Sequence, residues 1–236
     1  MGRFRHEGVA FDSNSGYVYQ TEDRSNGLLY RFNPNVKNKL LSGGKLETLS
    51  FRDWRGIDTS NQKKNNIILG RKYPVKWIEL KNVSSNKDNL RERGQAMGGA
   101  TFSRGEGIFY SNEILYFTAT TGGKNRTGQI WKYTPNKNDS NGIIELFYES
   151  KDANVLNMPD NIVISPHGNI ILCEDAKGRD RLVCIKSDGS VSYLASNAFN
   201  NAEFAGLTFS PDGNILFVNI YSPTMTLAIK GPWEEL

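Results

Sequence analysis

Acidic residues recur in this chain at places where they could act together. Glu7, Glu106, Asp160 and Glu203 each stand where an apolar run begins, and Glu22-Asp23 and Glu174-Asp175 stand where a following apolar run ends. Arg5 and Arg104 precede Glu7 and Glu106 by two residues, which puts each arginine on the same strand face as its acid. Carboxylates gathered in one place repel each other, and the usual relief is a multivalent cation or a paired arginine. Oxygen-only donors suit hard ions such as calcium or magnesium, and the harder states of iron or manganese. An arginine beside such ions matches the paired oxygens of a phosphate or carboxylate. The chemistry favoured is metal-assisted hydrolysis of an anionic ester. Acids at strand ends also cap turns, and Glu22-Asp23 before Arg-Ser-Asn-Gly suits that simpler role.

The elements that must position these acids form a repeat. The stretches "EGVAFDSNSGYVYQTED" from 7, "EGIFYSNEILYFTATTGG" from 106, "DNIVISPHGNIILCEDAKG" from 160 and "AGLTFSPDGNILFVNIYSP" from 205 each read as strand, turn, strand. A third strand follows in each ("LLYRFNP", "QIWKYTP", "RLVCIKSDGS", "TLAIKGPW"), and three units add a fourth at 46–52, 143–150 and 191–197. Four-stranded units repeated in this way predict an all-β chain built as a β-propeller, here of about four blades in a single domain over 1–236. A hairpin brings its two ends together, so the acids at those ends are expected at one mouth of the central channel. The Asn- and Lys-rich stretch 53–95 is expected to be an irregular insertion with one strand-like piece, 73–80.

The totals fit a globular β protein: 236 residues, 38% hydrophobic, 23 Gly, and a net charge of +4 spread over scattered lysines. That dispersal argues against nucleic acid as a partner, and no stretch approaches the about 18 apolar residues of a membrane span. The N-terminal residues show no secretory apolar region. Cys173 and Cys184 are read as a structural pair or buried thiols, and His6 and His167 as structural or solvated. No P-loop, dinucleotide fingerprint or Gly-x-Ser-x-Gly motif is present.

The blocks "GRFRHEGVAFD", "GYVYQTEDRSNGLLYRFNP", "FSRGEGIFY", "LYFTATTGGKNRTGQIWKYTP", "MPDNIVISPHGNIILCED" and "EFAGLTFSPDGNILFVNIYSPTMTLAIKGPW" resemble, in order, the C-terminal portion of the PhoX-like bacterial alkaline phosphatase family. The resemblance implies a six-bladed propeller, phosphomonoester hydrolysis on a small phosphorylated substrate, and calcium and iron at the channel mouth. It implies export to the periplasm or secretion for family members. Carried over by motif, Arg5 of Arg5-His6-Glu7 would contact phosphate and Glu7 would bind metal. Asp160 and Glu203 would be further metal ligands, with Glu106 and Glu174 beside them. The family's cysteine ligand to iron lies in upstream blades that have no counterpart here. The expectation is therefore a chain without the N-terminal blades: a remnant, half of a split gene, or a ring completed by a second chain. Two other readings compete, a non-catalytic propeller module and another mouth-metal propeller hydrolase such as a lactonase.

Overall fold

The structure, a computed structural model, describes residues 1–136 and 141–236. It is all-β and propeller-like, with each repeat forming an antiparallel blade. The first blade holds β1 (His6–Phe11), β2 (Val18–Glu22), the two-residue β3 (Gly27–Leu28), β4 (Tyr30–Pro34) and β5 (Gly44–Phe51). The stretch expected to be irregular carries β6 (Lys72–Glu79) and the helix α1 (Leu90–Ala96), and is followed by β7 (Thr101–Phe102), which pairs with β3. The second blade is β8 (Gly105–Ser111), β9 (Ile114–Ala119), β10 (Gln129–Pro135) and β11 (Gly142–Glu149). The third is β12 (Pro159–Ile164), β13 (Ile170–Glu174), β14 (Arg181–Ile185) and β15 (Val191–Ser196), and the fourth is β16 (Phe204–Phe209), β17 (Ile215–Ile220) and β18 (Met225–Lys230). The strand order anticipated from the repeat is the order found.

Burial on both faces explains why the middle strands read as continuous apolar runs, since every residue of β13 is covered. Tyr19, Phe117, Trp131 and Tyr133 fill the space between the first two blades. Ile130, Ile162, Leu172 and Val183 fill the next, and Cys173, Leu182, Leu216 and Val218 the last. Each fully buried side chain of this size stabilises the fold by about 1.5–3 kcal/mol. Both cysteines are buried free thiols.

β6 joins what the repeat alone would leave apart. Its first residues pair with β11 and its later ones with β5, so the first two blades form one nine-stranded sheet. Arg31, 1% exposed, lies 4.5 Å from the rings of both Tyr17 and Trp77 and is paired with Glu47 at 2.6 Å. Trp77 Nε1 donates to the Tyr133 hydroxyl at 3.0 Å, so one β6 side chain touches both blades.

The inner strands lie side by side, β1 against β8, β8 against β12 and β12 against β16. Glycine permits this approach. A Cβ on Gly107 would sit 2.3 Å from the Asp160 carbonyl oxygen, and one on Gly8 would sit 2.6 Å from that of Glu106.

Candidate active site

Each inner strand breaks register with its hairpin partner at the same point. The breaks fall between His6 and Val9, Gly105 and Ile108, Pro159 and Ile162, and Ala205 and Thr208. The residues inside them are Glu7-Gly8, Glu106-Gly107, Asp160-Asn161 and Gly206-Leu207. A bulge bends the strand and turns a side chain away from the ladder, and three of these four bulges hold an acid. The fourth blade has glycine there, and Glu203, just before β16, supplies its carboxylate.

Hydroxyl groups fix the bulges across blade boundaries. Thr21 Oγ1 donates to the Glu106 carbonyl at 2.5 Å and receives the Gly8 N–H at 2.9 Å. Thr118 Oγ1 donates to the Asp160 carbonyl at 2.9 Å. Thr120 Oγ1 lies 2.7 Å from both Glu106 Oε2 and the Pro159 carbonyl. Asn161 Oδ1 receives the Gly206 N–H at 2.7 Å, tying the third blade to the fourth.

The acids so placed form a line. Asp160, 6% exposed, shares hydrogen bonds with Glu106 on one side and Glu203 on the other. Burial and the Glu106 charge push Asp160 up to about 8. Burial pushes Glu106 up to about 7 against the pull of Thr120 and Arg104. Burial and the hydrogen bond with Asp160 push Glu203 up to about 7. Glu7 is raised by burial and by Asp23, with Arg104 opposing.

Arg104 is the hub of the opposite charge. Its Nε bonds Asp23 Oδ1 at 2.9 Å, its Nη1 and Nη2 each lie 3.4 Å from Asp175 Oδ2, and Nη2 also contacts Glu106 Oε1. One guanidinium thus reaches acids from three elements. Burial works against its charge, but Asp23, Glu106 and Asp175 together raise its pKa. Its backbone has φ +57, an uncommon conformation for a residue with a side chain. Backbone bonds to the Arg24 carbonyl and from the Thr120 N–H hold it there.

Of the residues anticipated from sequence, Glu7, Glu106, Asp160 and Glu203 come together, and Arg5 and Glu174 stand apart from them. Arg5 points outward, its side chain 67% exposed and 4.0 Å from Asp88. Glu174 is buried against Arg181, with both carboxylate oxygens 2.6 Å from the guanidinium, and accepts the Asn157 N–H at 2.7 Å. Its neighbour Asp175 is the one that faces Arg104. The first hairpin repeats this pattern: Glu22 turns inward to Tyr30 at 2.8 Å while Asp23 meets Arg104. Of each acid pair, the first acid is inward and the second lies at the mouth. His6 stacks on Phe4 and bonds the Gly2 carbonyl, and His167 sits exposed in the β12–β13 turn.

The donor set suits a hard cation. It is all oxygen, and its carboxyls, buried at Glu106 and Asp160 and half-buried at Glu203, are held together by shared protons that a cation would replace. Among the described residues no three carboxylate, thiol or imidazole groups are gathered as a ready cage, so Glu106, Asp160 and Glu203 meet in pairs. Cys173 offers no thiolate, because burial holds its pKa well above the ordinary value.

Comparison with known proteins agrees with this architecture. A family model described as alkaline phosphatase PhoX matches residues 1–224. Among solved structures, PhoX from Pseudomonas fluorescens, in complex with vanadate, a transition state analogue, superposes with a TM-score of 0.72 at 22% identity. The match covers 94% of this chain and 49% of that one, so this chain spans about half the length of the PhoX structure. A putative 6-phosphogluconolactonase from Bacteroides uniformis matches at TM-score 0.43 and 12% identity, over 95% of this chain and 67% of that one. Virginiamycin B lyase from Staphylococcus aureus matches at 0.40 and 13%, over 96% and 70%. No curated protein matches.

Proposed function

The chain belongs to the alkaline phosphatase PhoX family, and from that premise we propose that it hydrolyses phosphomonoesters at the mouth where its inner strands bulge. The observation that carries the reading is the row of acids formed by buried Glu106 and Asp160 and half-buried Glu203, set beside the arginine hub at Arg104.

Glu106, Asp160 and Glu203 would hold calcium, with Glu7 and Asp175 beside them. Bound there, calcium would supply positive charge to stabilise the phosphoryl oxygens as negative charge develops. The iron that the family resemblance implies has no thiolate to hold it among the described residues. Arg104 fixes the positions of Glu106, Asp23 and Asp175 and offsets their charge. Thr120 orients Glu106 by its hydrogen bond to Oε2. Without calcium, Asp160, raised to about 8, holds a proton at neutral pH, and a bound calcium would displace it. Arg5, which the resemblance would place on substrate phosphate, points outward toward Asp88 here and would have to swing from it to reach the mouth.

The test is release of p-nitrophenol from p-nitrophenyl phosphate by the purified 236-residue chain, with calcium and with a chelator, beside its Asp160→Asn variant. Calcium-dependent turnover lost in the variant supports the reading. Lactone hydrolysis without phosphate release, or no turnover under any of these conditions, overturns it.

A further inference from the structure

A second charged feature lies on the same face as the mouth. Residues 61–65 meet the β9–β10 connection and the end of β11 around a cleft of about 580 Å³, within the range of about 300–1,000 Å³ that small-molecule sites occupy. Lys63, Lys124 and Lys151 line it, and none of their ammonium groups makes a hydrogen bond or ion pair with a described residue.

The floor beneath these lysines is built. Asn61, 5% exposed with φ +58, donates to the Ile67 carbonyl and to Glu149 Oε2, each at 2.9 Å, and accepts the Ile67 N–H. Gln129 Nε2 also donates to Glu149 Oε2 at 2.7 Å. The carboxylate in the cleft is therefore already engaged by two amides. Asn125 Nδ2 bonds the Lys151 carbonyl at 2.7 Å, fixing one wall to the other. Gln62 Nε2 bonds Ser103 Oγ at 3.1 Å and the Thr121 carbonyl at 2.6 Å. Ser103 precedes Arg104 and Thr121 follows Thr120, so the cleft and the row of acids share these two segments.

We propose that this cleft binds a phosphate-rich anion, the second phosphate of a substrate whose first is cleaved at the mouth. Three unpaired ammonium groups against one amide-bound carboxylate leave a positive excess that suits a doubly charged group. The rigid floor means little ordering is needed on binding. The link to a substrate rests on the phosphatase reading, whereas the anion site itself stands without it.

The experiment titrates inorganic pyrophosphate into metal-free protein by calorimetry. It compares the chain as it stands, a triple Lys63→Ala, Lys124→Ala, Lys151→Ala variant, and a control triple Lys37→Ala, Lys186→Ala, Lys230→Ala variant. Five of the six side chains are exposed and Lys186 is half-buried at the end of its strand, so both triples should fold, and circular dichroism checks this. Binding weakened about tenfold or more in the cleft triple and unchanged in the control establishes the site. Equal binding in all three, or equal loss in both triples, overturns it. With turnover measured in parallel, a cleft triple that raises KM for a bisphosphate ester and spares p-nitrophenyl phosphate supports the substrate assignment. Lysine-dependent pyrophosphate binding without any turnover would keep the anion site and remove the phosphatase reading.

Discussion

Glu174 and Asp175 are chain neighbours whose charges serve different ends, and substitution separates them. Glu174→Gln leaves the Arg181 guanidinium without its buried partner, and a loss of about 3 kcal/mol is expected in urea denaturation. Asp175→Asn removes one weak contact of a shared hub, so stability in chelator should change by about 0.5 kcal/mol or less, while the calcium-induced rise in Tm shrinks. Equal stability losses would show that the inward and mouth-facing assignments are wrong. The raised acids set a second expectation. Glu106, Asp160 and Glu203 titrate near 7 to 8 in the folded chain and near 4 when unfolded, so between those values the native state binds more protons. Stability is then greatest toward the unfolded value and falls as pH rises through the folded values. In chelator Tm should be lower at about pH 8.5 than at about pH 6, and calcium should narrow the gap because it replaces the departing protons. A calorimetric Tm that climbs over this window without calcium would contradict the shared-proton row. At this scale the sequence put Glu7, Glu106, Asp160 and Glu203 together, because each stands at the start of an inner strand, but it added Glu174, which pairs with Arg181 instead. It did not show which acid of each pair turns inward, since that depends on Tyr30 and Arg181 across the blade.

The bulge is the element-scale device that makes the mouth. Gly107 lets β8 and β12 approach until only the space of a hydrogen atom remains before the Asp160 carbonyl. Gly107→Ala must move backbone, so it should cost about 2–3 kcal/mol in chemical denaturation and lower calcium affinity at the same time. A variant with unchanged stability and affinity would mean that the strands slide apart without consequence. Thr120→Val, close in shape, removes the donor to Glu106 and Pro159 and should cost about 1–3 kcal/mol. The repeat of strand, turn and strand was legible because apolar alternation and Gly-containing turns mark it. The bulges were not, because one extra residue changes strand parity without changing composition. For the same reason Arg104 was seen as sharing a face with Glu106, while its reach to Asp23 and Asp175 depends on its left-handed backbone and on packing between blades.

Across the whole molecule, the far face of the first blade is covered by its own chain. Val18, Tyr30, Phe32 and Leu46 pack under Phe4, Leu80, Val83 and Leu90, so much of the stretch read from sequence as irregular is a cover. Its signal was missed because the apolar residues are single and separated by polar loops. Val9 and Phe11 of β1 remain open, 63% and 46% exposed, as do Val36, Leu40 and Leu41 in the β4–β5 connection. Light scattering of the purified chain should therefore give one species near 26.5 kDa. A dimer that Val9→Ser and Phe11→Ser dissolve would instead make this strand an interface. The nine-stranded sheet has a different consequence, for the order in which the molecule comes undone. β6 seals the rim between the first two blades, whereas β15 and β18 each end a sheet with one side unpaired. Amide protons of the third and fourth blades should exchange with solvent first, and those of β4, β5, β10 and β11 last and together, as one cooperative block that opens only when β6 lets go.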